Sequence, residues 1–529
     1  MSETTETQAG QQGDSRSGVN RRTFLKGAAA VAVVVPAVAA TQCARVESAG
    51  PVEEAKMTAD MEKYRALGGW VERPGDIQPE LVGDTSADVI IVGAGFAGLS
   101  AALELVRHGA KVIVLEREFA GFGASGRNAG YLAGALALEY DLFLKDIGNQ
   151  KGREIVRYYE EAVPFVEGKL KEHEIDCDYN QTGIIRAGID PAQEDKVRED
   201  MRTGAELGFQ SEFLDQAEMR ARGIPPAFLF GNYVPRGGTL HPGKYVMGLR
   251  RAALRAGVKI YENTPLLSYT EGPVIMVQTP RGSASAPALM LATNAYTPQL
   301  GLLADKVVPL RVSAIETEPL SDAQRKALGW LRREGIVTAH WTMESHRLTV
   351  NNTLVVTTKR LRYPYGSKTP NVPDYDSYRE LRTALHDRFP TLKGIALRAC
   401  WSGYISFAND ALPVVGATGA HQNIFYSAGC SGHWRGRPVH GGKHDRRADS
   451  RHRKSAPFGA GSQDAVDTAR AVAMVRHEWG AGRGERARRP CERQGACRAS
   501  AAGVMRSAPQ NAFGDHVARG PDGGIRRVA

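Results

Sequence analysis

Between residues 85 and 300, short apolar runs alternate with segments whose apolar residues recur at helical spacing, so strand and helix are expected in turn. The run Asp88-Val89-Ile90-Ile91-Val92 is short, unbroken and β-branched, which predicts a strand buried on both faces. Leu99 to His108 reads as a helix that stops at Gly109, and Lys111-Val112-Ile113-Val114-Leu115 predicts a second buried strand, ended by Glu116. Residues 149–175 put Ile155, Val156, Tyr159, Val163, Val166 and Leu170 at helical spacing, whereas 191–208 is charged and reads as a surface helix. His346–Val350 and Thr353–Thr358 flank Asn351-Asn352, a hairpin signal. Mixed strand signals between roughly residues 310 and 400 predict an antiparallel sheet. No internal repeat is present.

The first strand is followed at once by Gly93-Ala94-Gly95-Phe96-Ala97-Gly98. Gly93 permits a tight turn, Gly95 lets the backbone approach a pyrophosphate, and Gly98 allows close helix–strand packing. The helix N-terminus offers unpaired N–H groups and a positive dipole end to phosphates. Glu116 ends the second strand, placed to accept hydrogen bonds from a ribose hydroxyl, with Arg117 beside it. A lone glycine motif means little, but strand, glycines, helix, strand and acid in register point to a Rossmann-type dinucleotide site. This unit alone does not choose between FAD and NAD.

The next segment does. Gly121-Phe122-Gly123-Ala124-Ser125-Gly126-Arg127-Asn128-Ala129-Gly130 resembles the second flavin motif of the D-amino acid oxidase family, in particular the GASGRN segment of its gamma-glutamylputrescine oxidase branch. Gly123, Ala124, Asn128, Ala129 and Gly130 would let the backbone run along the cofactor. Ser125 could bond a phosphate and Arg127 could add charge. The resemblance covers residues 85–433. Ile175-Asp176-Cys177-Asp178-Tyr179 is similar to a segment leading into a strand. Gly237-Gly238-Thr239-Leu240-His241-Pro242 is similar to the GGxxHP segment, and Leu291–Tyr296 to the strand end that returns to FAD. Trp401–Tyr404, Asp410–Gly416 and Gly429-Cys430-Ser431-Gly432-His433 resemble the closing flavin segments. The resemblance implies an α/β fold, a Rossmann-type FAD-binding domain interleaved with a mixed-sheet α+β substrate domain. It implies backbone contacts to the adenine side near Leu266, and places Gly416, Gly429, Ser431, Gly432 and His433 near the isoalloxazine. One departure concerns the pocket wall: where the family tends to have Gly-Gly, this chain has Thr357-Thr358.

At 529 residues the chain is long enough for two to four domains, taking about 150 residues for each. Its six cysteines form no CxxC and no metal-ligand cluster, so neither a disulfide framework nor a metal is expected. No central segment is apolar for the ~20 residues that a membrane helix needs. The net charge of +10 suggests nucleic acid until it is located: residues 434–529 hold 20 Lys+Arg against 9 Asp+Glu, and the rest of the chain is close to neutral. Of those basic residues 18 are Arg, and neither apolar periodicity nor aromatic interleaving accompanies them. Nucleic acid is therefore not an expected partner. The family likeness stops at His433, and the tail reads as GC-rich codons translated in a shifted frame. At the other end, Asn20-Arg21-Arg22-Thr23-Phe24-Leu25-Lys26, the weakly apolar 27–40 and the small-x-small Ala37-Val38-Ala39 resemble a twin-arginine export signal. The expected layout is a signal over 1–40, a linker over 41–84, the oxidoreductase over 85–433 and a basic tail over 434–529. Export through the twin-arginine machinery implies a periplasmic protein, and an unused signal a cytoplasmic one.

What the resemblance implies for chemistry is hydride transfer to flavin from a C–H next to the nitrogen of an amine or amino acid. Electrons then pass to O2 or to another carrier. Candidate wall residues are His241, Tyr245, Thr357, Trp401, Tyr404 and His433, each equally well explained by packing or structural hydrogen bonding. No catalytic residue is assigned. The competing readings are an FAD dehydrogenase with a non-oxygen acceptor and a flavin-deficient, non-catalytic remnant produced by the altered C-terminus.

Overall fold

The computed structural model describes residues 63–430 except Trp341, Thr342, Asn409 and Asp410, together with the strand Ile525–Arg527. The export signal, the rest of the basic tail, and Ser431, Gly432 and His433 lie outside the described residues.

The expected strand–helix–strand unit is present as Val89–Val92, Phe96–Arg107 and Val112–Leu115. Both strands are wholly buried, as a parallel sheet covered on two faces requires. The helix starts at Phe96, three residues earlier than its apolar periodicity indicates, because the glycine motif itself forms the first turn. These strands sit inside a six-stranded sheet. Its order is Val414–Thr418, Ile424–Ala428, Ala288–Leu291, Val89–Val92, Val112–Leu115, Lys259–Tyr261. All neighbours run parallel except the first pair.

A second sheet has eight strands, in the order Leu397–Ala408, Val307–Thr317, Leu354–Thr358, Glu344–Leu348, Gly335–Thr338, Ile184–Gly188, Phe230–Val234, Glu212–Leu214. It is antiparallel apart from the pairing of Gly335–Thr338 with Ile184–Gly188, so the region expected to be antiparallel contains one parallel seam. The two sheets draw on alternating stretches of chain: 89–115, 259–291 and 414–428 serve the first, 184–234, 307–358 and 397–408 the second. A five-stranded sheet caps the first, and Ile525–Arg527 forms its edge strand, paired antiparallel with Ser268–Thr270.

Ile175–Tyr179, read as leading into a strand, precedes the strand Ile184–Gly188, with Glu174 and Asp178 at positive φ. Two local expectations shift. The helix expected over 149–175 spans Tyr140–Glu172, with non-helical backbone at Gly148 and Pro164 inside it. Residues 63–84, expected as linker, are packed into the fold. Trp70, Val71 and Leu81 are buried, and the Trp70 indole N–H donates to the Asn128 carbonyl at 2.7 Å. A tryptophan cannot be left in a solvated linker without forfeiting its large apolar area.

The helix Phe96–Arg107 packs on Pro242–Arg255 within a core that includes Leu99, Leu105, Val246 and Leu249. Behind it, Lys169 Nζ reaches Glu104 Oε1 at 2.7 Å, a buried ion pair that locks the long helix to the motif helix. Among the described residues no helix is long and apolar enough to cross a membrane, and no cluster could hold a metal ion.

Candidate functional site

The glycine motif adopts the geometry its residues permit. Gly93 has φ +105°, and a Cβ there would lie 2.6 Å from the Ala292 carbonyl oxygen. A Cβ on Gly98 would collide with the Gly93 carbonyl oxygen, and one on Gly95 would lie 2.8 Å from Ser125 Oγ. These contacts close the turn onto the neighbouring strand end and leave the N-terminus of Phe96–Arg107 facing a cavity of about 300 Å³.

That cavity is lined by Gly93, Gly95, Phe96, Ala97, Glu116, Arg117, Gly123, Ala124, Ser125 and Leu266, all expected from the sequence. Ala94 and Gly98 lie behind this lining. The Ala94 N–H donates to Glu116 Oε2 at 2.8 Å and the Glu118 N–H to Oε1 at 3.0 Å. Each carboxylate oxygen keeps a lone pair for a further donor, which suits a ribose diol. Burial pushes the Glu116 carboxyl above its ordinary value, opposed by these two N–H donors. The Arg117 guanidinium lies 4.9 Å from the Tyr296 ring centre. Ser125 Oγ accepts from the Phe96 N–H at 3.0 Å, at the helix start where a phosphate would sit. Gln299 and Ser427 also line the cavity; no local motif announces them, since the fold brings them from elsewhere in the chain. Space, the positive end of a helix and a carboxylate at the ribose position together fit the adenosine diphosphate half of FAD.

A second cavity of about 200 Å³ shares Phe96 and Ala124 with the first and extends toward the eight-stranded sheet. Arg127, Asn128, Ala129 and Gly130 form part of its wall. Four successive carbonyls hold this loop in place. That of Arg127 accepts from the Trp401 indole at 2.9 Å and that of Asn128 from Trp70. The Ala129 carbonyl accepts from Arg347 at 3.1 Å and that of Gly130 from the Leu240 N–H at 2.8 Å. Arg347 is buried over the Trp70 ring at 4.9 Å. Burial draws its pKa down to about 10, so it stays charged at neutral pH.

Arg127 departs from the expected role of adding charge. Its guanidinium donates to the carbonyls of Phe122, Ser402 and Ala66 at 2.8–3.0 Å. It ties three segments together, because a buried guanidinium must satisfy its donors. Of the candidate wall residues, Tyr245, Thr357 and Trp401 line the second cavity and Tyr404 the first. His241 lines neither. It caps the helix Pro242–Arg255 by accepting from the Lys244 N–H at 3.2 Å, and burial draws its pKa down to about 4. Gly416 sits opposite Tyr426 in the edge pair and lines neither cavity. Gly429, at φ +74°, donates to Ser406 Oγ at 3.0 Å and delivers its neighbour Cys430 to the second cavity.

Two charged residues in the second cavity carry no sequence signal. Arg186 pairs with Asp200 at 3.0 Å and lies 3.7 Å from Glu139. Burial pushes the Glu139 carboxyl up to about 7, against the pull of Arg186.

The same assignment follows from kinship. The DAO family profile, described as FAD dependent oxidoreductase, matches residues 88–434. The chain is 28% identical over 362 residues to the probable oxidoreductase OrdL of Haemophilus influenzae, covering 67% of this chain and 81% of that protein. It is also 28% identical over 387 residues to gamma-glutamylputrescine oxidoreductase of Escherichia coli, covering 71% and 86%. Among solved structures, glycine oxidase from Geobacillus kaustophilus matches with a TM-score of 0.56 at 19% identity, covering 66% of this chain and 90% of that one. L-proline dehydrogenase from P. horikoshii matches with a TM-score of 0.55 at 20% identity, covering 67% and 89%. Two abutting cavities, one fitted to a dinucleotide, and a profile match along most of the chain lead to one conclusion: this chain belongs to the DAO family of FAD-dependent oxidoreductases, and FAD is its cofactor.

Proposed function

We propose that this chain oxidises a C–N bond of an amine or amino acid by hydride transfer. The observation that carries the reading is the second cavity, a mostly apolar chamber that meets the cofactor cavity at Phe96 and Ala124. Bound FAD supplies the hydride acceptor. The protein orients the substrate and excludes water. Leu132, Leu136, Val166 and Leu240 line the chamber, and such walls favour the neutral amine over its ammonium form. A neutral amine needs no strong base at the reacting carbon. The relative from Escherichia coli, a gamma-glutamylputrescine oxidoreductase, supports an amine substrate. The product imine hydrolyses in water.

The test is anaerobic. FAD-loaded protein is mixed with a panel of amines and amino acids, and bleaching of the flavin absorption is followed. Bleaching by one class is expected; no bleaching by any member overturns the reading. Comparing oxygen consumption with dye reduction then decides between O2 and a carrier as acceptor. A protein without flavin absorbance would instead be the non-catalytic remnant. We further propose that residues 1–40 direct export by the twin-arginine machinery. Replacing Arg21 and Arg22 by Lys should keep the protein in the cytoplasm, and unchanged export would refute this.

A further inference from the structure

The hairpin wall of the second cavity breaks the alternation that a strand imposes. Ser345 lies opposite Thr357 and Glu344 opposite Thr358. Regular pleating would send Thr357 and Thr358 to opposite faces. Instead both line the cavity, with their Oγ1 atoms 3.2 Å apart. The backbone is the cause: Thr358 has φ +83° and Lys359 φ +53°. A β-branched residue at positive φ is an outlier that persists only where its surroundings over-determine it. Here they do. Lys359 Nζ donates to Glu344 Oε1 at 2.7 Å, and Arg388 Nε donates to Glu344 Oε2 at 3.0 Å. Glu344 is fully buried and clamps the turn from behind.

The strain places one more hydroxyl in the chamber. Ser345 Oγ, Thr357 Oγ1 and Thr358 Oγ1 form a hydrogen-bonded row. The row is anchored at its Ser345 end by a hydrogen bond with the Tyr131 side chain, and the lone pairs left on its hydroxyls meet whatever fills the cavity. A ligand that can hydrogen-bond replaces the water these groups lose; an aliphatic ligand of the same size does not. That asymmetry is the kind from which binding sites obtain strong discrimination.

We propose that Thr358 is a specificity-determining residue. With Thr357 and Ser345 it selects amines that carry a second hydrogen-bonding group (hydroxyl, amide or carboxylate), and Glu344 positions it through Lys359. This rests on the amine-oxidation reading above. The experiment uses the FAD-loaded full chain and size-matched pairs: 3-amino-1-propanol against butylamine, and 4-aminobutanoate against 4-methylpentylamine. The wild type should favour the polar member by about tenfold or more in kcat/KM. Thr358→Gly should bring the ratio close to one, mainly through a higher KM for the polar member, while raising the melting temperature because the left-handed turn relaxes. Thr358→Ser should restore the ratio. Thr357→Val and Glu344→Gln should lower it. If the wild type reduces flavin with both members and the ratio survives Thr358→Gly and Thr357→Val, the selection rule is wrong. If no amine reduces the flavin, the amine reading itself falls, and this rule with it.

Discussion

At Gly98 the sequence requirement is steric. A side chain there meets backbone, which has nowhere to move. Gly98→Ala should cost about 3 kcal/mol through overpacking and release flavin, which is measured as the ratio of flavin to protein absorbance after gel filtration. Retention of full flavin would show that the turn has slack. Roles of this kind are legible in a sequence because their cause is local: Gly93, Gly95 and Gly98 follow a strand and open a helix within six residues. Glu116 is legible for the same reason. Arg127 is not, since its partners Ala66 and Ser402 are remote in the chain and only the fold shows that its charge is spent on carbonyls. Arg186 and Glu139 carry no motif; a strand of the eight-stranded sheet brings the first to the cavity and the start of the helix Tyr140–Glu172 brings the second.

Periodicity located the elements well where one face or both are buried throughout, as in Val89–Val92 and Val112–Leu115. It located their ends poorly where a cap or turn decides them. His241 is such a case, an imidazole used as an N-cap. The cap needs the lone pair of a neutral ring. The folded state holds the pKa of His241 down at about 4, whereas an unfolded chain protonates it near 6.5. The unfolded state therefore takes up its proton first on acidification, and stability falls as pH drops from about 6.5 to 4. Thermal melting across that window should show the slope, and His241→Asn, which keeps a cap without titrating, should flatten it. An identical slope in the variant would assign the effect to other groups.

Across the whole molecule the two large sheets are woven from alternating stretches of chain. Neither sheet can be cut out with one excision, so neither should melt alone. Calorimetry of the FAD-loaded protein is expected to give one transition; two separated transitions would contradict this. Such weaving is invisible to pattern reading, which sees each strand but not its neighbour in the sheet. The family likeness supplied it in outline. The parallel seam between Gly335–Thr338 and Ile184–Gly188 had to come from the structure.

The loop of residues 127–130 depends on that weaving. Its four carbonyls are held by Trp401, Trp70, Arg347 and Leu240, which come from four distant parts of the chain. Contacts of such long sequence separation form late, because each must first close a large loop of chain. This wall of the second cavity therefore sets only after both sheets have assembled. The yellow of bound flavin is then expected to report assembly: a chain that has misplaced any one of the four segments should leave this wall unformed and hold less flavin, which the flavin absorbance of refolded protein would measure.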